Sequence, residues 1–258
     1  MKKIPKPTRK IVINPIISPL INVDDGLIMD GLVAWYDPGR QILEGTTGQQ
    51  LLDYSGNGNH AQLGSTAGAD TNDPSWNNGL SFGGDDYCVL TDNAMTKPDN
   101  FTIITVVKLN NTTFASRPCF GWSTSSDYVP AFYLNTATGK TKFMGNTTNT
   151  SVIEYPLQAS DLIHRVISFG VKGKEIGSLT TAELWTNGLK QTPTNIIDTG
   201  TQLNKNTVRI GYGYSGTLMQ AMQTQSMTLL YDRVLLPSEQ IYTYNYLKKL
   251  MSQRGITI

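Results

Sequence analysis

The densest run of reactive side chains in this 258-residue chain is LLDYSGNGNHAQL, residues 51–63, which places Asp53, Ser55, Asn57, Asn59 and His60 within eight positions. A carboxylate, a hydroxyl and an imidazole this close together could form a nucleophile with its base. The same composition is also what a chain reversal needs, because Asp and Asn bond the backbone two residues on and Gly56 and Gly58 supply permissive conformations. Turn chemistry is therefore the reading favoured here. His164, the other histidine, starts a strand-like run and has no nucleophile-elbow sequence near it. Two histidines exclude a multi-histidine metal centre, and Gly56-Asn57-Gly58 lacks the Lys-Ser/Thr pair of a phosphate-cradling loop. Cys88 and Cys119 sit in the apolar contexts YCVL and PCFGW and are read as buried free thiols. Sugar stacking needs exposed aromatics beside hydrogen-bonding groups. Trp76, Trp122, Tyr128, Tyr212 and Tyr214 are the loop-proximal candidates, whereas Trp35 and Trp185 fall inside strands and read as core.

The elements that would position these groups are short and apolar-alternating, separated by Gly, Asn, Thr and Ser. LVAWYD, GLSFGG, YCVLT, FTIITVVKL, CFGWS, AFYLN, KTKFMG, HRVISFGVKG, AELWTNG, TVRIGYG and SMTLLYDRVL are the candidate strands. In FTIITVVKL, Phe101, Ile103, Thr105 and Val107 share one face and Thr102, Ile104, Val106 and Lys108 the other, which marks an inner strand. Asn187-Gly188 signals a type I′ hairpin, and a second hairpin is expected at Thr138-Gly139. One helix is expected, over 237–254. Pro237 suits its first position, Glu239 its N-terminal dipole end and Gly255 its close, with Ser238 as a substitute cap and Ile241, Tyr244, Leu247 and Met251 as the apolar stripe.

Residues 1–30 differ from the rest. Five of the chain's 21 basic residues, Lys2, Lys3, Lys6, Arg9 and Lys10, lie in the first ten, leaving 16 against 20 acids elsewhere. Four prolines forbid a helix, and Ile11, Ile13, Ile16 and Ile17 are apolar side chains that an extended arm cannot bury by itself. The arm reads as a docking segment for a partner. Pro15 and Pro19 break the apolar run that a signal peptide or a membrane span would require. The body has no basic patch with interleaved aromatics, so nucleic-acid binding through the folded domain and membrane insertion are not expected.

Five segments, GLVAWYD, LLDYSGNGNHAQL, GLSFGGDDYCVL, ELWTNGLKQ and MTLLYDRVLLPSEQIYTYNYLKK, together resemble the concanavalin A-like lectin/glucanase superfamily, specifically laminin-G-like domains of bacteriophage structural proteins. The resemblance spans about 31–250. It implies an all-β fold: an antiparallel sandwich of jelly-roll type over 31–258, with the arm in front and the helix behind. It also implies calcium as a possible ion, for which Asp53, Asp70 and Asp73 are the candidate ligands; the ion takes six to eight oxygens. Relatives carry a Gly and an acidic pair before the last strand, where this chain has Gln220, Gln223 and Gln225. Glucanases of the superfamily place clustered carboxylates on one strand, and retaining hydrolysis needs two about 5 Å apart. No strand here has that pattern, so no enzymatic activity is expected. A lectin-like domain, no export signal and a basic arm together point to a multicopy virion protein. It would be a capsid decoration, a fibre or a tail-associated adhesion module, anchored to other virion proteins by its arm. The alternative is a carbohydrate- or receptor-binding lectin whose main role is to recognise cell-surface glycans.

Overall fold

The computed structural model describes residues 23–24, 26–90, 100–110, 117–123, 131–135, 139–144, 152–156, 163–171, 182–197, 207–211 and 223–258. In chain order the first elements are β1 (Val23–Asp24), β2 (Leu27–Ile28), β3 (Leu32–Tyr36), helix α1 (Pro38–Leu43), β4 (Gln50–Leu51), β5 (Ala61–Leu63), β6 (Ser75–Trp76), β7 (Leu80–Phe82) and β8 (Cys88–Leu90). Then come β9 (Phe101–Leu109), β10 (Arg117–Ser123), β11 (Ala131–Asn135), β12 (Lys140–Met144), β13 (Val152–Pro156) and β14 (Arg165–Val171). The last are β15 (Glu183–Thr186), β16 (Leu189–Lys190), β17 (Asn195–Ile197), β18 (Thr207–Ile210), β19 (Gln223–Tyr231) and helix α2 (Pro237–Gln253).

Apart from the two-stranded β1–β2 sheet, the described strands form two antiparallel sheets. One runs β17-β13-β12-β11-β10-β18-β8-β5-β4; the other runs β16-β15-β14-β9-β19-β7-β6, with β3 also paired to β19. This is the expected antiparallel sandwich followed by a C-terminal helix. Strand β9 lies between β14 and β19, and its alternation divides as the sequence implies. Phe101, Ile103, Val107 and Leu109 enter the core between the sheets, while Ile104 and Val106 enter a second core on the sheet's outer face. Leu247 and Met251 of α2 cover that second core, together with Leu27 and Ile28 of the short β1–β2 hairpin. Burying a side chain of this size stabilises by about 1.5–3 kcal/mol, so the outer layer contributes to folding.

Several local expectations change. The buried face of α2 carries Gln240, Thr243, Leu247 and Met251, with Tyr244 beside them, whereas Ile241 is 47% exposed. Ser238 is exposed; the first turn is closed instead by Glu239, whose carboxylate accepts the Leu236 N–H at 2.7 Å and takes both guanidinium nitrogens of Arg233. The six-residue α1 is too short for periodicity to announce. Asp37 caps it through the Arg40 N–H and Pro38 starts it. Asp37, fully buried, also receives a bidentate pair from Arg254, which ties the start of α1 to the end of α2. Strand β19 begins earlier than expected, at Gln223. Its glutamines are buried because the opposite sheet satisfies them: Gln225 Nε2 donates to the Cys119 carbonyl, and Gln223 Oε1 accepts from the Cys119 thiol. Cys88 and Cys119 are free and buried. The hairpin at Asn187-Gly188 is present with both residues at positive φ (50° and 75°).

Candidate functional site

The run that looks most reactive is fully used in holding a turn. Asp53 Oδ1 accepts the N–H groups of Trp35 and Ser55, and Oδ2 accepts the Ser55 hydroxyl and the Asn59 N–H, all at 2.8–2.9 Å. The Asp53 N–H donates to His60 Nδ1. The amides of Asn57 and Asn59 donate to the carbonyls of Leu32 and Val33, and Gly56 and Gly58 take positive φ. The Ser55 hydroxyl thus turns to a carboxylate and the His60 ring to a backbone amide. These groups staple residues 53–60 to β3 and do not make a nucleophile–base pair.

The candidate calcium ligands Asp53 and Asp70 are engaged by protein donors, and Asp73 is engaged in part. Both Asp53 oxygens are taken by N–H and O–H donors. Asp70 Oδ2 accepts from the backbone and hydroxyls of Ser65 and Thr66, and Oδ1 from the Asn72 N–H. Those bonds, the Ser65 hydroxyl first, hold the Asp70 carboxyl down to about 2. Asp73 Oδ2 accepts the Asp70 N–H, so its buried Oδ1 is the one oxygen of the three carboxylates with no protein donor. A hard cation seeks several such oxygens. Among the described residues no group of three or more His, Cys, Asp or Glu is arranged to hold a metal.

Of the aromatic candidates, Trp76 packs its half-buried ring against the inter-sheet core and donates its indole N–H to the Gly48 carbonyl at 3.2 Å. It is a packing residue as much as a surface one. Trp122 lies in β10 opposite Val208. Tyr128, Tyr212 and Tyr214 lie outside the described residues, as do Lys2, Lys3, Lys6, Arg9, Lys10, Ile11, Ile13, Ile16 and Ile17.

The polar concavity lies elsewhere, on the helix-bearing side of the sheet. A cleft of about 470 Å³ is lined by Asn77, Asn78, Ser81, Lys108, Asn110, Ile163, His164, Thr224, Gly255, Ile256 and Thr257. Its position follows from strand alternation and from where α2 stops. Lys108 shares its face of β9 with Ile104 and Val106, but the helix layer that covers those two ends at Gln253. Gly255, at φ 73°, then turns the chain, and the Ile256 N–H returns to the Met251 carbonyl. The sheet beyond is left open, and its outward residues become the floor. Ser81 comes from β7 and Thr224 from β19, and the turn between β6 and β7 contributes Asn77 and the left-handed Asn78 (φ 52°).

The chemistry of the cleft is that of neutral hydrogen-bonding groups around one charge. Asn110 Nδ2 donates to the Ser81 hydroxyl at 3.1 Å, and its Oδ1 accepts from the Thr224 hydroxyl at 2.9 Å. That fixes the amide and uses two of its four hydrogen-bonding positions. Among the described residues no carboxylate lines the cleft, and Lys108 has no ion-pair or hydrogen-bond partner. Burial, with the Lys108 charge as a smaller cause, pushes His164 down to about 4, so its ring is neutral at pH 7. Its Nε2 is shielded from solvent and has no partner. A second concavity of about 260 Å³ adjoins the first by sharing Asn78 and Ile256; it is lined by Ile42 and Leu43 of α1. Sequence reasoning passed over this site because its residues come from six separate segments. The available signal was Lys108, the charged residue on an otherwise apolar face of FTIITVVKL.

No protein-family model matches the chain, and no curated protein matches it. Solved structures do resemble it. Trypanosoma rangeli sialidase in complex with sialic acid superposes with a TM-score of 0.59 at 14% identity, over 96% of this chain and 36% of the sialidase. A mutant of that sialidase displaying trans-sialidase activity gives 0.60 at 16%, over 88% and 34%. The binding domain of botulinum neurotoxin DC in complex with rat synaptotagmin II gives 0.59 at 12%, over 85% and 52%. At these identities the likeness is one of fold, an antiparallel β-sandwich. The chain spans about a third of the sialidases and about half of the toxin binding domain.

Proposed function

We propose that this chain is a non-enzymatic recognition module that binds carbohydrate in the cleft between the end of α2 and strands β7, β9 and β19. The observation that carries this reading is the lining itself: amides and hydroxyls converge there, Asn110 is held in place by Ser81 and Thr224, and among the described residues no carboxylate lines the cleft to act as acid or nucleophile. Two structural neighbours lend it support, one a sialidase in complex with sialic acid and the other a toxin binding domain in complex with SialylT. A glycan array with the purified chain and with Asn110→Ala tests the reading. Sugar-dependent binding that falls at least tenfold in the variant is expected; no sugar-dependent binding by the parent chain overturns it.

Display on a phage virion rests on the laminin-G-like segments and on the basic arm. In that setting the cleft would face outward and serve host adhesion. Deleting residues 2–22, which keeps Leu27 and Ile28 in the second core, is expected to abolish incorporation into particles while leaving glycan binding intact, and normal incorporation would end the anchoring idea.

A further inference from the structure

We propose that the sugar recognised by this cleft is acidic, with a carboxylate paired to Lys108 Nζ and its hydroxyls on the amides of Asn77, Asn78 and Asn110. The inference rests on the carbohydrate reading above and specifies its ligand class. Lys108 projects from an inner strand on a face otherwise filled by Ile104 and Val106, and no described acid pairs with it. The Lys108 charge sits in a concavity, where a ligand anion is screened less than on an open surface. The charge count selects the anion. His164 is neutral and among the described residues no second cation lines the cleft, so Lys108 supplies the one positive charge there that faces the ligand. That matches a monoanion such as a uronic or sialic acid carboxylate, and it matches a phosphate dianion poorly. Asn110 retains two hydrogen-bonding positions after its bonds to Ser81 and Thr224, enough to read a vicinal hydroxyl pair beside the carboxylate.

The experiment is an array or titration series that pairs each carboxylated glycan with its neutral counterpart. Oligogalacturonate against its carboxyl-reduced form and sialyllactose against lactose are included, as is a set of sulfated sugars. The full chain is compared with Lys108→Gln and Lys108→Arg, each checked for an unchanged melting temperature. The expected result is at least a tenfold preference for a carboxylated member over its neutral partner, weakened by added salt, abolished in Lys108→Gln and kept in Lys108→Arg. Equal binding of acidic and neutral partners, a preference that survives Lys108→Gln, or selection of sulfated over carboxylated sugars overturns the acidic-sugar inference and leaves the carbohydrate reading standing. Absence of binding to every glycan, neutral ones included, removes both.

Discussion

Replacing Asp53 by Asn tests whether residues 51–63 are a structural turn. The carboxylate is 8% exposed and accepts four hydrogen bonds, two on each oxygen. An asparagine keeps one acceptor oxygen and turns an NH2 group towards two donors. The less damaging orientation points the NH2 at the Ser55 hydroxyl and the Asn59 N–H, because the hydroxyl can swing to the Val33 carbonyl at 3.3 Å. One buried N–H, that of Asn59, is then left without an acceptor, at a cost of about 1–3 kcal/mol, and the two remaining bonds fall from charged to neutral strength, about 1 kcal/mol each. The total is about 3–5 kcal/mol, a large part of the stability of an ordinary domain. Urea unfolding at pH 7 reads it directly, with EDTA present and then with millimolar calcium. A loss below 1 kcal/mol would refute the turn account. So would a calcium-dependent stabilisation of the parent chain that Asp53→Asn lacks, since the carboxylate would then be a metal ligand.

Gly188→Ala should cost about 2–4 kcal/mol in a thermal or urea melt, because position 188 needs φ near 75° and a Cβ there would lie 2.7 Å from the Tyr244 ring of α2. Glu239→Ala should cost about 2–4 kcal/mol, since it strips Arg233 of a bidentate partner and the Leu236 N–H of its acceptor; Glu239→Asp should fall between the two if reach to both groups matters. Asp86 predicts a gain. Burial first, then the charges of Asp85 and Asp73, pushes its carboxyl up to about 6, although the Gly83 N–H opposes this. With the folded value above the unfolded one, the native state holds more protons between about pH 4 and 6, and stability is lost as pH rises through that window. Asp86→Asn, whose amide oxygen can still accept the Gly83 N–H, should therefore be more stable at pH 7 by on the order of 1 kcal/mol once partial exposure is discounted, and unchanged at pH 4. Paired melts at the two pH values decide it.

The fold was legible wherever period and turn chemistry agreed. FTIITVVKL announced a strand buried on both faces because both of its alternating sets are apolar, and Asn187-Gly188 announced its hairpin because few other residue pairs accept two positive φ values. What failed did so for physical reasons. The glutamines at the start of β19 look like a solvated loop in one dimension; in the fold the Cys119 carbonyl and thiol on the opposite sheet, with the Thr105 and Thr228 hydroxyls at Gln225 Oε1, offset the cost of their burial. The stripe of α2 was right at Leu247 and Met251, with Tyr244 packed beside them, and wrong at Ile241, because Gln240 and Thr243 take the core-facing positions in the first turns that an apolar count assigns to Ile241.

The candidate site was the least legible part, and its construction explains why. Aromatic loops drew attention because stacking side chains are conspicuous; of these, Trp76 packs its half-buried ring on the core and donates to Gly48, while Tyr128, Tyr212 and Tyr214 lie outside the described residues. The cleft arises instead from an incomplete layer: α2 covers the outer face of the sheet over Ile104 and Val106 and stops before Lys108, where Gly255 turns the chain away. Each of its residues has an ordinary local reading as a strand edge, a turn or a tail. Their shared chemistry appears only when the register of β7, β9 and β19 brings Ser81, Lys108 and Thr224 side by side; Thr224 pairs with both Ser81 and Lys108 across the sheet. Moving the helix stop would therefore alter the site more than most substitutions within it. Extending α2 by replacing Gly255 with Ala removes the residue that adopts φ 73° and should displace Ile256 and Thr257 from the cleft wall. Glycan binding is expected to weaken while the melting temperature changes by only a few degrees, because no atom lies within 4 Å of the added methyl. Unaltered binding in that variant would show that the tail is not part of the recognition surface.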